Sequence, residues 1–147
     1  MDDMGLPDGD AKEIEAPWPY VFSCQIVPLS KGRPRFSNGR VLTDAKTREY
    51  ERELATLLAE SYRGREVLDC PVTVQIEFRL ALPVGKRAVS AFWAASKPAS
   101  DLDNLIKAVT DAANGIVWTD DVRIVALSAK KILTKGKPGI TMRVAPA

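Results

Sequence analysis

Two short acidic stretches hold the side chains best suited to chemistry in this chain. They are Asp101-Leu102-Asp103-Asn104 and Asp120-Asp121, with Lys107 four residues after Asp103. Carboxylates are hard oxygen donors. They suit Mg2+ or Mn2+, ions that keep several waters and bridge phosphate oxygens. Composition narrows the field, because the 147 residues include no histidine. Ser-His-Asp triads, Cys-His dyads, histidine general bases and imidazole-dependent zinc sites are all excluded. Any reaction must run on carboxylates, lysine, arginine, hydroxyls or a metal held by oxygen.

The spacing lets the two stretches meet. Leu102–Asn114 reads as a helix with Leu102, Leu105, Ile106, Val109, Ala112 and Ala113 on its apolar side. Asp103, Lys107 and Asp111 follow at i, i+4 and i+8 on its polar side. Such a helix climbs about 20 Å. The residues from Gly115 to Asp121 can return roughly 20–23 Å when nearly extended. A pocket of Asp101, Asp103 and Asp121 at a helix N-terminus is therefore within reach. A plainer reading stands beside it. Asp101 can be a helix N-cap, Asp120-Asp121 a solvated turn, and Asp103–Lys107 an i,i+4 pair worth only ~0.2–0.5 kcal/mol. In the first reading Lys107 would contact a phosphate. There is no GxGxxG and no GxxxxGK[ST], so a nucleotide cofactor is not expected.

The elements that must position these residues follow from periodicity. Tyr20–Pro28 is apolar and β-branched, a strand. Leu29–Arg40 is rich in Gly, Pro, Ser and Asn and reads as a loop carrying Lys31, Arg33, Arg35 and Arg40 around Phe36. Asp44–Tyr62 is a helix capped by Thr43 or Asp44, with Tyr50, Leu54, Leu57, Leu58 and Tyr62 at helical spacing. Cys70–Leu82 alternates: Val72, Val74, Ile76 and Phe78 face one way, and Thr73, Gln75, Glu77 and Arg79 the other. Lys86–Ala95 is a short helix, and Asn114-Gly115 ends the longer one. Val122–Leu133 and Gly139–Val144 are strands joined by a basic turn. The fold class is α+β, with a single mixed sheet flanked by helices.

Charge is uneven along the chain. Residues 1–17 hold six acids and one base, a net of −5, whereas the rest holds twenty bases and thirteen acids, a net of +7. An acidic, disordered tail is expected ahead of one domain at 18–147, whose basic surface suits a polyanionic partner. No apolar run reaches membrane-spanning length, and no signal peptide is recognisable. Cys24 and Cys70 form no CxxC and read as reduced core residues of a cytosolic protein.

Three blocks together resemble the RusA-type Holliday junction resolvases, endodeoxyribonucleases frequent in phages and prophages. They are PLSKGRPRF at Pro28–Phe36, KPASDLDNLIKAVTDAANGIVWTDD at Lys97–Asp121, and the basic VRIVALSAKK that follows. The order DxDNxxK…DxxNG…W.DD is the specific part; a DxD alone would not be. Ala99-Ser100 departs from members in which the acid follows KP directly.

The resemblance implies an Mg2+-dependent enzyme, with Mn2+ as a substitute, that resolves four-way DNA junctions by paired cuts. It implies Asp101, Asp103 and Asp121 as metal-binding catalytic acids and Lys107 as the catalytic lysine. Asn104, Asp111 and Asp120 match supporting motif positions. It further implies a homodimer on branched DNA, in the cytoplasm of a bacterial or phage-infected cell. Lys31, Arg33, Arg35, Arg40, Lys130, Lys131, Lys135 and Lys137 would contact the DNA backbone, which positions rather than specifies. Phe36 or Trp118 could stack on bases, although core packing suits both better. A nuclease for forks or flaps, or a non-catalytic branched-DNA-binding protein, would share much of this sequence.

Overall fold

The computed structural model describes residues 18–30, 35–37, 40–42, 45–82 and 101–147. Its main sheet has four strands: β1 (Tyr20–Cys24), β4 (Val72–Ala81), β5 (Ile124–Thr134) and β6 (Gly139–Pro146), in the order β1-β6-β4-β5. β6 runs antiparallel to both β1 and β4, whereas β4 and β5 are parallel. A parallel pair needs a long crossover. Here α2 (Leu102–Ala113) lies in that crossover. With α1 (Ala45–Ser61), these elements form the mixed sheet and helices of an α+β fold.

The alternating pattern of β4 explains where the core sits. Val72, Val74, Ile76 and Phe78 are buried, and Thr73, Gln75, Glu77 and Arg79 are half-buried on the other face. Tyr20, Phe22, Ile140, Met142 and Val144 extend the apolar face across β1 and β6. α1 contributes Tyr50, Leu54 and Leu58, and α2 contributes Leu105, Ala108, Val109, Ala112 and Ala113. Both stripes recur at three- and four-residue steps, so each helix buries one side. Leu102 and Ile106, read from sequence as part of α2's apolar side, are only half-buried at its margin.

Several boundaries differ from the sequence reading. The first strand stops at Cys24 rather than Pro28, because its partner runs out: Cys24 pairs with Ile140, and β6 begins at Gly139. The basic segment is not wholly loop. β2 (Arg35–Ser37) and β3 (Arg40–Leu42) pair antiparallel, with Ser37 opposite Arg40. The strand expected from Val122 starts at Ile124, preceded by a 3-10 turn at Asp121–Arg123. The acidic tail, the helix expected at Lys86–Ala95, the caps Thr43 and Asp44, and Lys31 and Arg33 lie outside the described residues.

Gly139 marks where β1 and β6 close together. A Cβ added there would lie 2.3 Å from the Cys24 carbonyl oxygen and 2.6 Å from an Arg79 guanidinium nitrogen. The carbonyl is backbone and cannot swing away. Gly139→Ala is therefore expected to destabilise the fold by about 1–3 kcal/mol. Thermal unfolding checks this, and an unchanged midpoint would contradict it.

Candidate active site

α2 carries three of the candidate side chains in order. Asp101 occupies its N-cap position with extended backbone, and its carbonyl accepts the Leu105 N–H at 3.0 Å. Its carboxylate makes no capping hydrogen bond. Asp101 thus has the place of a cap without spending its side chain as one. Asp103 is exposed in the first turn, where negative charge suits the helix dipole. Its Oδ1 accepts the Asn104 N–H at 3.0 Å. Lys107 lies one turn further, about 6 Å along the axis.

Lys107 does not pair with Asp103. Its Nζ lies 3.0 Å from Asp111 Oδ1 and 3.5 Å from Asp121 Oδ2. The ammonium therefore links α2 to the 3-10 turn. Hydrogen bonding from Asp111, more than the nearby Asp121, raises the Lys107 pKa above its usual 10.5. The ammonium stays charged throughout the physiological range. A raised value stabilises the fold below the unfolded pKa, and that contribution is lost as the pH climbs through the folded one.

The 3-10 turn is held from three directions. Helix α2 ends at Ala113 with Asn114 as its C-cap, and Gly115 adopts φ +80°, a left-handed conformation that glycine takes without Cβ strain. The Gly115 N–H donates to the Trp118 carbonyl at 2.7 Å, and the Trp118 indole Nε1 donates to Asn114 Oδ1 at 2.8 Å. Trp118 is fully buried, so it belongs to the core and offers no face to a base. Leu68 bonds on both sides of it, its N–H to the Val117 carbonyl at 2.8 Å and its carbonyl to the Thr119 N–H at 3.0 Å. The Asp120 carbonyl accepts the Arg123 N–H at 3.0 Å, and its Oδ1 accepts the Val122 N–H at 3.3 Å. That last bond, followed by Asp121's side chain, lowers the Asp120 pKa. Asp120 therefore caps the turn, while Asp121 reaches across to α2.

Sequence reasoning missed one member of this region. Asp69 Oδ1 accepts from Thr119 Oγ1 at 3.0 Å and from Arg123 Nε at 2.9 Å. The partners are 50 and 54 residues away, so no local pattern reports them. The Arg123 bond, then the Thr119 hydroxyl, hold the Asp69 carboxyl below its usual 3.8. A lowered value contributes stability above the unfolded pKa and loses it as the pH falls through the folded one. The contact is expected to persist at pH 4 and to open only in stronger acid. Carbon-detected NMR titration should place the Asp69 midpoint below 3.8, and a midpoint at or above that value would contradict the contact.

Not all candidate residues come together. Among the described residues, no group of three or more His, Cys, Asp or Glu side chains is gathered closely enough to hold a metal ion. The acids stand in two sets instead: Asp101 and Asp103 on the first turn of α2, and Asp121, with Asp111, around Lys107. By chemistry the donors fit a hard divalent cation, being carboxylate oxygens at or near the surface.

The candidate DNA-contacting residues are dispersed. Lys130 is exposed on the sheet face opposite the helices, 3.7 Å from Glu77, which also pairs with Arg79 at 3.2 Å. Lys131 alternates to the other face. Lys135 and Lys137 are exposed between β5 and β6, whereas Arg35 and Arg40 lie in the β2–β3 hairpin. No helix among the described residues is long and apolar enough to cross a membrane. Cys24 and Cys70 are free thiols, both half-buried.

The chain is similar, at 28% identity over 124 residues, to an uncharacterized protein, YqaN, of Bacillus subtilis (strain 168); the match covers 78% of this chain and 87% of that protein. Residues 25–145 match the family model described as Endodeoxyribonuclease RusA. That family comprises crossover junction endodeoxyribonucleases, phosphodiester hydrolases that act on branched DNA and generally depend on a divalent metal. The matched span includes both acidic segments, Lys107, and the helix α2 and 3-10 turn that carry them, and the chain belongs to the RusA endodeoxyribonuclease family.

Proposed function

We propose that this chain resolves four-way DNA junctions by Mg2+-dependent, paired and symmetric phosphodiester cleavage, in recombination and repair. The observation that carries the reading is the Lys107 ammonium, set between α2 and the Asp121 turn inside the span that matches the family. Asp101, Asp103 and Asp121, which stand in two sets in this structure, would draw together to hold Mg2+, with Mn2+ able to substitute. When bound, the ion supplies Lewis-acid polarisation of a phosphoryl oxygen and neutralises developing charge. Lys107 stays protonated and offers its ammonium to a phosphate oxygen at the same place. Asp111 orients Lys107 by its 3.0 Å ion pair, Asp120 holds the turn by capping it, and Asn104 supports Asp103 through its N–H.

The basic side chains of the hairpin, β5 and the turn after it would grip the backbone, and salt should weaken that grip. One chain carries one set of these acids, whereas paired symmetric cuts need two. A homodimer with two-fold symmetry supplies them. The reading places the protein in the cytoplasm of a bacterial or phage-infected cell, where its DNA is.

Lys107→Met keeps the length of the side chain and removes its charge. It is expected to lower the rate of junction cleavage by about 10²–10³-fold, the scale of a lost charge-stabilising donor. Single-turnover cleavage measures this. A rate within threefold of the wild type, on the order of 0.6 kcal/mol, would remove Lys107 from the mechanism.

A further inference from the structure

We infer that Asp69 is a positioning residue for the active site, and that its carboxylate staples the acidic turn closed so that Asp121 meets Lys107. This rests on the functional reading given above. One oxygen, Oδ1, accepts from Thr119 before the acidic pair and from Arg123 after it. The five-residue arc from Thr119 to Arg123, which contains Asp120 and Asp121, is thereby closed from outside. Asp69 itself is fixed, because the adjoining Leu68 is hydrogen-bonded on both sides, to Val117 and Thr119.

Inside the arc, the Asp120 carboxylate is committed to the Val122 N–H and its carbonyl to the Arg123 N–H. The Asp121 carboxylate is the one directed at Lys107 on the neighbouring helix. Releasing the staple frees Arg123 and Thr119 together. The 3-10 turn can then rotate, and the Asp121 carboxylate moves relative to α2.

A merely structural role would be read as lost stability, which this pair hardly provides. The Asp69 and Arg123 side chains are 65% and 41% exposed, and exposed ion pairs contribute little to stability. Loss of the pair should hardly alter the melting temperature. Partners that orient metal-binding carboxylates, by contrast, typically change affinity or activity by about 10–100-fold when removed.

The test compares Asp69→Ala, Asp69→Asn and Asp121→Asn on a four-way junction with Mg2+. Asp69→Ala is expected to lower kcat by about 10–100-fold and to raise the Mg2+ concentration for half-maximal rate. KM for the junction should be unchanged, and the melting temperature should stay within about 2 °C. Asp69→Asn keeps an amide oxygen that accepts both bonds, so it should recover most of the loss. Hydrogen exchange at the Val122 and Arg123 amides should quicken in Asp69→Ala. A wild-type kcat for Asp69→Ala beside an inactive Asp121→Asn would overturn the inference and leave the functional reading standing. An equal loss in the Ala and Asn variants would also overturn it, by assigning the effect to charge. Wild-type cleavage by Asp121→Asn would instead overturn the functional reading on which it rests. The exchange comparison needs no cleavage: unchanged protection at Val122 and Arg123 in Asp69→Ala removes the staple by itself.

Discussion

Asp103→Asn is expected to reduce junction cleavage to background while junction binding survives. The replacement is isosteric, and the Asn side-chain oxygen can still accept the Asn104 N–H that Asp103 accepts at 3.0 Å. Asp103 is exposed and bears no core contact, so the fold should not notice the change. What disappears is one full negative charge where a divalent cation would be held. A loss on the order of 10³-fold or more follows from removing such a group at a phosphoryl-transfer site. Binding should hold or tighten slightly, because a like charge facing the DNA backbone is gone. Gel-shift and single-turnover cleavage on the same junction separate the two effects. Loss of binding together with cleavage would make Asp103 a structural residue instead.

The second large effect is on stability. Trp118→Ala removes the largest fully buried side chain among the described residues, together with the 2.8 Å indole bond to Asn114. Truncating a buried aromatic of this size costs about 3–5 kcal/mol. That is a large part of the 5–15 kcal/mol by which domains are usually stable. The activity should suffer too, because Trp118 precedes the acidic pair by two residues and its carbonyl closes the turn after α2. Trp118→Phe keeps a ring in the core and loses the indole bond, so it should recover much of the stability. Urea denaturation of the three proteins checks the order. A cost below about 1 kcal/mol for the alanine variant would contradict the packing described here.

Much of this was legible in the residues because the periods are strong. Val72–Phe78 alternates cleanly and is buried on alternate positions. Tyr50, Leu54 and Leu58 recur at helical steps and are buried together. Asn114-Gly115 stops α2 because glycine takes the positive φ found there. Other features depend on distant partners. The end of β1 is set by where β6 begins, with Cys24 in register with the distant Ile140, and no local pattern contains that. The β2–β3 hairpin did have a local signal: Asn38-Gly39, the dipeptide that favours two-residue hairpin loops, lies between the paired strands. The density of Gly, Pro, Ser and Asn over Leu29–Arg40 reads as a loop all the same.

The candidate site divides in the same way. Asp101, Asp103, Lys107 and the Asp120-Asp121 pair stood out by type and spacing. The Lys107 partners did not: an i,i+4 rule reaches both Asp103 and Asp111 and favours Asp103, the acid on the N-terminal side, whereas the ammonium pairs with Asp111 and, across the turn, with Asp121. Asp69 was invisible, because a single acid before Cys70-Pro71 carries no pattern and its meaning comes from Thr119 and Arg123.

The central claim is metal-dependent cleavage of branched DNA. A labelled four-way junction, incubated beside linear duplex, fork and flap with Mg2+ or with chelator, tests it most directly. Paired, symmetric nicks are expected in the four-way junction, present with Mg2+ and absent with chelator, with no cutting of the linear duplex. Tight junction binding without any cleavage in Mg2+ or Mn2+ would contradict it.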